Sequence, residues 1–283
     1  MTADRPVTMR RLIDTATQTL AAAGVGSPRV DAELLAAHVA GTDRGRLAFT
    51  EPAPDFAERY AELTAARATR VPLQHLTGSA PFGPVSLAVG PGVFIPRPET
   101  ESLLDWALSQ PLPPAPVIVD LCTGSGALAV ALATQLPAAR VVGVDDSEDA
   151  LAYARRNAAG TGVQLVRADV TSPGVLSHLD GMVDLVVANP PYIPLDAELA
   201  AEVAQHDPAH ALFGGRDGMA VIDPLAVVAA RLLRAGGWCA VEHDDTTSAR
   251  TVDVFVRTGR FDQVSARHDL SGRPRFVTAV RAG

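Results

Sequence analysis

The chain has 283 residues, 47% of them hydrophobic and 20% charged, with a formal net charge of −8. That is a globular composition with enough apolar material for one large or two modest cores. The acid excess is a poor match to a long phosphate backbone, and no stretch approaches the ~20 uninterrupted apolar residues of a membrane span, so a nucleic-acid groove and a transmembrane protein are both disfavoured.

Residues 8–70 read as helices. Thr8 can cap a helix that carries Met9, Leu12, Ile13, Ala16 and Leu20 on one face and stops at Gly24. Ser27-Pro28 is a cap followed by a first-turn proline, opening a second helix that runs to Gly41. Asp55 opens a third, with Phe56, Tyr60 and Leu63 spaced for one face. These helices make a small domain over residues 1–75. In residues 76–98 glycines (78, 83, 90, 92) alternate with prolines (81, 84, 91, 96, 98) around short apolar pieces, the pattern of a hairpin connector. From 99 to 283 strand and helix alternate. VIVDL (117–121), RVVGVD (140–145), QLVRAD (164–169), DLVVAN (184–189) and WCAVEH (238–243) are the strands, and Ser147 caps the helix that runs to Ala159. Their continuous Val-rich runs fit parallel strands covered on both faces, a doubly wound α/β fold. FDQVSARHDL and RFVTAVRA offer two closing strands.

DLCTGSGALA joins the first of these strands to its helix. Gly124 and Gly126 allow a tight turn that a ligand can approach closely. Asp145, at the end of the second strand, can accept the hydroxyl hydrogens of a bound ribose, and Asp169 ends the third over the same crevice. Spacing alone satisfies the dinucleotide fingerprint G-x-G-x-x-A, which keeps a nicotinamide dehydrogenase in play. Asp120, however, gives D-x-x-T-G-S-G, an S-adenosylmethionine pattern.

A second feature favours a methyl donor. The strand 184–188 stops on Asn189, Pro190, Pro191 and Tyr192. A planar amide or amino nitrogen is a poor nucleophile, because its lone pair is delocalised. Two acceptors placed on its two N–H groups favour the charge that develops as it attacks. The Asn189 side-chain carbonyl and the Pro190 backbone carbonyl can be that pair. The prolines fix the backbone, and Tyr192 can stack on the planar group. A strand-ending turn is the competing explanation, since Asn-Pro is a common turn opener.

The segment resembles the NPPY motif of methyltransferases that act on amino and amide nitrogens. More narrowly, the chain resembles the HemK/PrmC family, over nearly its full length. FIPRPETE (94–101), DLCTGSGALA (120–129), GVDDSEDALAYARRNA (143–158), ANPPYIP (188–194) and HDPAHALFGGRDGM (206–219) carry the likeness. It implies a Rossmann-like S-adenosyl-L-methionine-dependent methyltransferase domain, with S-adenosyl-L-homocysteine as product and no metal. The implied activity is methylation of the side-chain nitrogen (N5) of the Gly-Gly-Gln glutamine in class I peptide chain release factors, with the helical domain recognising the substrate. The resemblance further implies that Cys122, Thr123, Gly124, Ser125 and Gly126 wrap the methionine part of the cofactor. Asp145 would hold its ribose, and Asp169 and Val170 would border its adenine. Asn189 would lie against both cofactor and substrate. Asn189, Pro190, Pro191 and Tyr192 would hold the glutamine, and Phe94 to Thr100 would close over it. Cys122 departs from the family, which usually has glycine there, and Val170 stands where an aromatic residue is common.

A glutamine of a ribosomal protein is a close alternative substrate. A DNA adenine methyltransferase fits the acid balance poorly, and a catalytically idle cofactor-binding module leaves Asn189 and Tyr192 without a task. His206 and His210 read as ordinary loop residues, because Pro208 spoils a helical ligand pair. Glu242 reads as a solvated or ion-paired strand end, and Arg97 as either a carboxylate contact or a tie between connector and core. Cys122 and Cys239 read as buried thiols. With no signal-peptide run, the expected location is the cytoplasm, with no direct nucleic-acid or membrane partner.

Overall fold

The computed structural model describes residues 8–283, so the start of the expected helical domain, residues 1–7, lies outside the described residues. In chain order it contains α1 (Met9–Ala22), α2 (Pro28–Ala40), α3 (Phe56–Ala68), α4 (Leu73–Thr77), β1 (Ser79–Phe82), β2 (Val85–Ala88), α5 (Glu101–Leu108), β3 (Val117–Leu121), α6 (Ala127–Gln135), β4 (Arg140–Asp145), α7 (Glu148–Asn157), β5 (Gln164–Arg167), β6 (Val183–Ala188), α8 (Ala201–His206), α9 (Ala209–Leu212), α10 (Ile222–Leu232), β7 (Leu233–Glu242), α11 (Ser248–Arg257), β8 (Phe261–His268) and β9 (Pro274–Arg281). They form two compact units. One takes the chain up to Ser79 together with Ala200–His206, and the other takes Ala80–Leu199 and Asp207–Gly283.

In the first unit the apolar faces of α1, α2 and α3 close on one core of Ile13, Leu20, Leu35, Phe56 and Tyr60. The Tyr60 hydroxyl donates to the Ala32 carbonyl at 2.8 Å, which satisfies the polar tip of a buried ring. Arg67 is 4% exposed, and its guanidinium donates to Asp31 (2.7 Å) and to Glu202 of α8 (2.9 Å). Thr8, Ser27 and Asp55 stand at the helix starts, but none of their side chains caps a backbone N–H. Gly41 ends α2 in the left-handed region at φ 62°.

In the second unit a seven-stranded sheet runs in the order β5-β4-β3-β6-β7-β9-β8. The first five strands are parallel, and β9 pairs antiparallel with both β7 and β8. Strand residues alternate between two cores. Val119, Leu121, Val142, Val144 and Val186 face the helices α10 and α11, while Ile118, Val141, Leu185 and Val187 face α5 and α6. Burial on both faces fails at β5, whose four residues are only half-covered or exposed because it is an edge strand. Strand β7 begins at Leu233, earlier than its apolar run, and its pairing with β6 shifts register between Val183 and Leu185.

The chain enters the sheet at β3, proceeds outward through β4 and β5, and returns to place β6 on the other side of β3. That is the topological switch point, where open α/β sheets bind ligands beyond the carboxyl ends of their strands. Register fixes which residues meet there. Leu121 pairs with Val144 and with Ala188, and Ala188 pairs with Val241. One step further along each strand, Asp145, Cys122, Asn189 and Glu242 therefore stand in a row.

Candidate active site

The glycine turn between β3 and α6 uses three left-handed residues, Cys122 (φ 62°), Gly124 (φ 56°) and Gly126 (φ 86°). A Cβ at Gly126 would press against Val130 and Ala154, so that glycine lets the turn pack on α7. A Cβ at Gly124 would meet nothing within 4 Å, so the space over that peptide is open. Cys122 holds a left-handed angle that costs an L-residue about 1–2 kcal/mol, which gives its departure from glycine a physical meaning.

Carboxylates organise the turn. Asp145 accepts from the backbone N–H of Gly124 (2.8 Å) and of Ser147 (3.0 Å), which leaves further lone pairs for a ligand. Asp120 is 1% exposed. Its Oδ2 accepts from the Thr123 hydroxyl (2.6 Å) and the Ala129 N–H (3.1 Å), while its Oδ1 is buried without a hydrogen-bond partner. Burial pushes the Asp120 carboxyl up to about 7, against the pull of those two donors. Burial also raises Asp145, and it raises the Cys122 thiol together with the carboxylates around it. Asp146 pairs with His210 at 2.6 Å, which raises the imidazole pKa. His210 thus lies on α9 with an acidic partner, and His206 ends α8, so neither is the ordinary loop residue that Pro208 between them suggested.

Other expected residues fall into distinct places. Thr123 and Ser125 are buried, so their reach toward a ligand comes through the backbone. Asp169 accepts from the N–H and hydroxyl of Thr171 within its own turn, which lowers its pKa. Val170 is buried in the core beneath the sheet edge. Phe94 lies under the Arg97 guanidinium, 4.8 Å from its ring centre. Arg97 in turn pairs with the buried Asp207, so it ties the connector to the segment after α8.

The Asn189–Tyr192 corner is held from two sides. The Asn189 amide nitrogen donates to the Thr100 hydroxyl (3.2 Å), Thr100 donates to Glu242 Oε2 (2.7 Å), and the Tyr192 hydroxyl donates to Glu242 Oε1 (2.7 Å). Among the described residues no group donates to the Asn189 carbonyl or to the Pro190 carbonyl. From the other side, residues 208–219 strap the corner. Ile193 accepts from the Gly214 N–H and donates to the Leu212 carbonyl, both at 2.9 Å. A Cβ at Gly214 would lie 2.6 Å from the Pro191 carbonyl oxygen, and one at Gly218 would collide with that of Tyr192. These glycines were missed as site residues, Thr100 was expected only as the end of the segment closing over the site, and Glu242, read as a solvated or ion-paired strand end, is instead buried under two hydroxyls. For Glu242 the available signal was a carboxylate directly after the apolar run 238–241, since buried charge is costly and collects at functional sites.

A seven-stranded sheet with an antiparallel end, a glycine turn and acidic strand ends at its switch point defines a Rossmann-like methyltransferase. A model of a methyltransferase domain matches residues 118–206, and one of the PrmC N-terminal domain matches residues 11–78. The release factor glutamine methyltransferase of Mycolicibacterium smegmatis is 67% identical over 96% of this chain and 98% of its own. That of Mycobacterium tuberculosis is 63% identical over 98% of this chain and 93% of its own. The 4-amino-L-phenylalanine/4-methylamino-L-phenylalanine methyltransferase of Streptomyces pristinaespiralis is 40% identical over 99% of this chain and 97% of its own. The chain belongs to the release factor glutamine methyltransferase family.

The residues present fit S-adenosylmethionine. The open space over Gly124 admits a ligand, and the orphaned Asp120 oxygen suits a positively charged one.

Proposed function

We propose that this protein transfers a methyl group from S-adenosylmethionine to the side-chain N5 of the Gly-Gly-Gln glutamine in class I release factors. The observation that carries this reading is the pair of unengaged carbonyls, Asn189 and Pro190, one residue beyond the strand edge shared with the glycine turn. A primary amide has two N–H groups, and two fixed acceptors hold both. The resulting pull of electron density toward nitrogen is worth most where the acceptors need no reorganisation. The cofactor supplies an activated methyl on a positively charged sulfur. The chain positions the acceptor nitrogen, and no strong general base is required of it.

Asp145 holds the cofactor ribose, the turn from Cys122 to Gly126 holds its methionine portion, and Asp169 and Val170 border its adenine. Tyr192 and Pro191 flank the glutamine, with Phe94 closing over it. The helical unit recognises the body of the release factor. A cytoplasmic location follows from such a substrate, and among the described residues no helix is long and apolar enough to cross a membrane. The high identity to proteins named for release factors favours this reading over the aminophenylalanine substrate of the more distant relative.

The test is mass spectrometry of the tryptic peptide spanning Gly-Gly-Gln after incubation with purified release factor and cofactor. One methyl group is expected on that glutamine, and none when it is changed to glutamate. A methyl on the glutamate variant, or on another residue of the wild type, would overturn the substrate assignment. Free 4-amino-L-phenylalanine is expected to remain unmodified.

A further inference from the structure

We propose that Glu242 and Thr100 are positioning residues that set which end of the Asn189 amide faces the substrate, and that the same carboxylate fixes the Tyr192 hydroxyl. This rests on the reading of Asn189 as an acceptor for the substrate amide.

An asparagine amide has nearly the same shape either way round, so packing alone does not choose its orientation. Chemistry does choose it. A carboxylate is an acceptor only, so a hydroxyl that touches it must donate. Glu242 is 1% exposed, and its two oxygens receive two hydroxyls, Thr100 and Tyr192, each at 2.7 Å. Once the Thr100 proton points at Glu242, its oxygen presents only lone pairs to Asn189. The amide must then offer Thr100 an N–H, the arrangement found at 3.2 Å. Its carbonyl is turned the other way. A flipped amide would set its carbonyl against the Thr100 lone pairs and meet the substrate N–H groups with N–H groups of its own. The polarity therefore runs in one direction, from an acidic strand end through a hydroxyl to the acceptor carbonyl.

Each part has a structural reason to be rigid. Glu242 closes β7 in the strand row beside Asn189, and Thr100 is 3% exposed at the start of α5. Burial raises the Glu242 carboxyl, and the Thr100 and Tyr192 hydroxyls and the charge of Arg275 pull the other way, toward the ionised carboxylate. One carboxylate thus orders the amide that receives the nitrogen and the ring beside it. Tyr192 contributes its aromatic face while its hydroxyl anchors it.

Thr100→Val keeps the shape and removes the hydroxyl, Thr100→Ser keeps the hydroxyl, and Glu242→Gln replaces one acceptor oxygen by a donor. We expect Thr100→Val and Glu242→Gln to lower kcat on a purified release factor ten- to a hundredfold, with KM and cofactor Kd changed less than threefold. Thr100→Ser should restore most of the rate. Wild-type kcat in Thr100→Val, or a serine variant as slow as valine, would overturn the proposal. A second readout needs no turnover. In ¹⁵N NMR the side-chain NH₂ of Asn189, assigned by its loss in Asn189→Asp, should exchange slowly with solvent in the wild type and in Thr100→Ser, and quickly in Thr100→Val. Fast exchange in the wild type would also overturn it. A protected amide in an enzyme that leaves the Gly-Gly-Gln glutamine unmodified would support the relay while sinking the substrate reading.

Discussion

At the corner, Asn189→Ala removes one of the two acceptors and should abolish most turnover while leaving cofactor affinity nearly unchanged. Comparison of kcat with a calorimetric Kd checks both halves. Asp145→Ala should weaken cofactor binding by roughly 1.5–3 kcal/mol, the range for a hydrogen bond to a charged group. An unchanged affinity in calorimetry would remove the ribose assignment. Asp120 adds a pH dependence. Its buried carboxyl sits at about 7, so it is largely protonated at pH 6 and ionised at pH 8. A positively charged ligand favours the ionised form, so binding should release a proton and tighten as pH rises from 6 to 8. Calorimetry in buffers of different ionisation enthalpy measures that release, and Asp120→Asn should abolish it. The places of Asp145 and Asn189 at strand ends were legible in the sequence because each closes an apolar run. Glu242 ends such a run as well. Its role depends on Thr100, 142 positions away, and no local pattern links them.

Among the elements, the strap over 208–219 depends on glycine for space as well as for angle. Gly218→Ala would drive a methyl into the Tyr192 carbonyl oxygen at a backbone angle of φ 78°. It should displace the corner, lowering kcat at least tenfold together with Tm. A variant with unchanged rate and Tm would show that the strap yields freely. The turn from β8 to β9 is held by Asp269, whose Oδ1 accepts from the Ser271 N–H (2.9 Å), the Ser271 hydroxyl (2.6 Å) and the Arg273 N–H (3.0 Å). Burial pushes that carboxyl up, but these bonds and the charge of Arg275 outweigh it and hold it at about 2. Because the folded pKa lies below the unfolded one, this stabilisation is present at neutral pH and lost as pH falls from 4 toward 2. Asp269→Asn should cost about 2 kcal/mol at pH 7 and almost nothing at pH 2, as urea unfolding at the two pH values would show. Strands β3 and β4 were readable to the residue, since valine-rich runs between glycine and proline leave little choice. The early start of β7 was hidden by Arg234, Gly236 and Gly237, which lie in the irregular stretch between the pairing of Val183 with Leu233 and that of Leu185 with Trp238.

For the whole molecule, the helical unit and the sheet unit have separate cores, so damage to one should spare the other. Arg67 is the test, because it is buried between Asp31 and Glu202. Arg67→Ala leaves Asp31 buried without its partner, a loss of roughly 3–5 kcal/mol. We expect calorimetry to resolve an early transition for the helical unit while cofactor binding persists. Methylation of an intact release factor should fall far more than that of a short Gly-Gly-Gln peptide. Equal losses on both substrates would contradict the recognition role of the helices. The helical unit is also where sequence reading stopped short. Its first three helices follow apolar periodicity and end at Ala68, but α8 begins only at Ala201, in a stretch whose composition gives no sign of where it belongs. That excursion bears on inheritance. The chain leaves the sheet unit after Leu199, gives one short helix to the other unit, and returns at Asp207 to form the strap. A genetic exchange that replaced only the amino-terminal third would bring in new helices to face an old α8, with Arg67 and Glu202 drawn from different ancestors. A working chimaera between relatives then needs a second graft, residues 200–206, from the same parent as the amino-terminal helices.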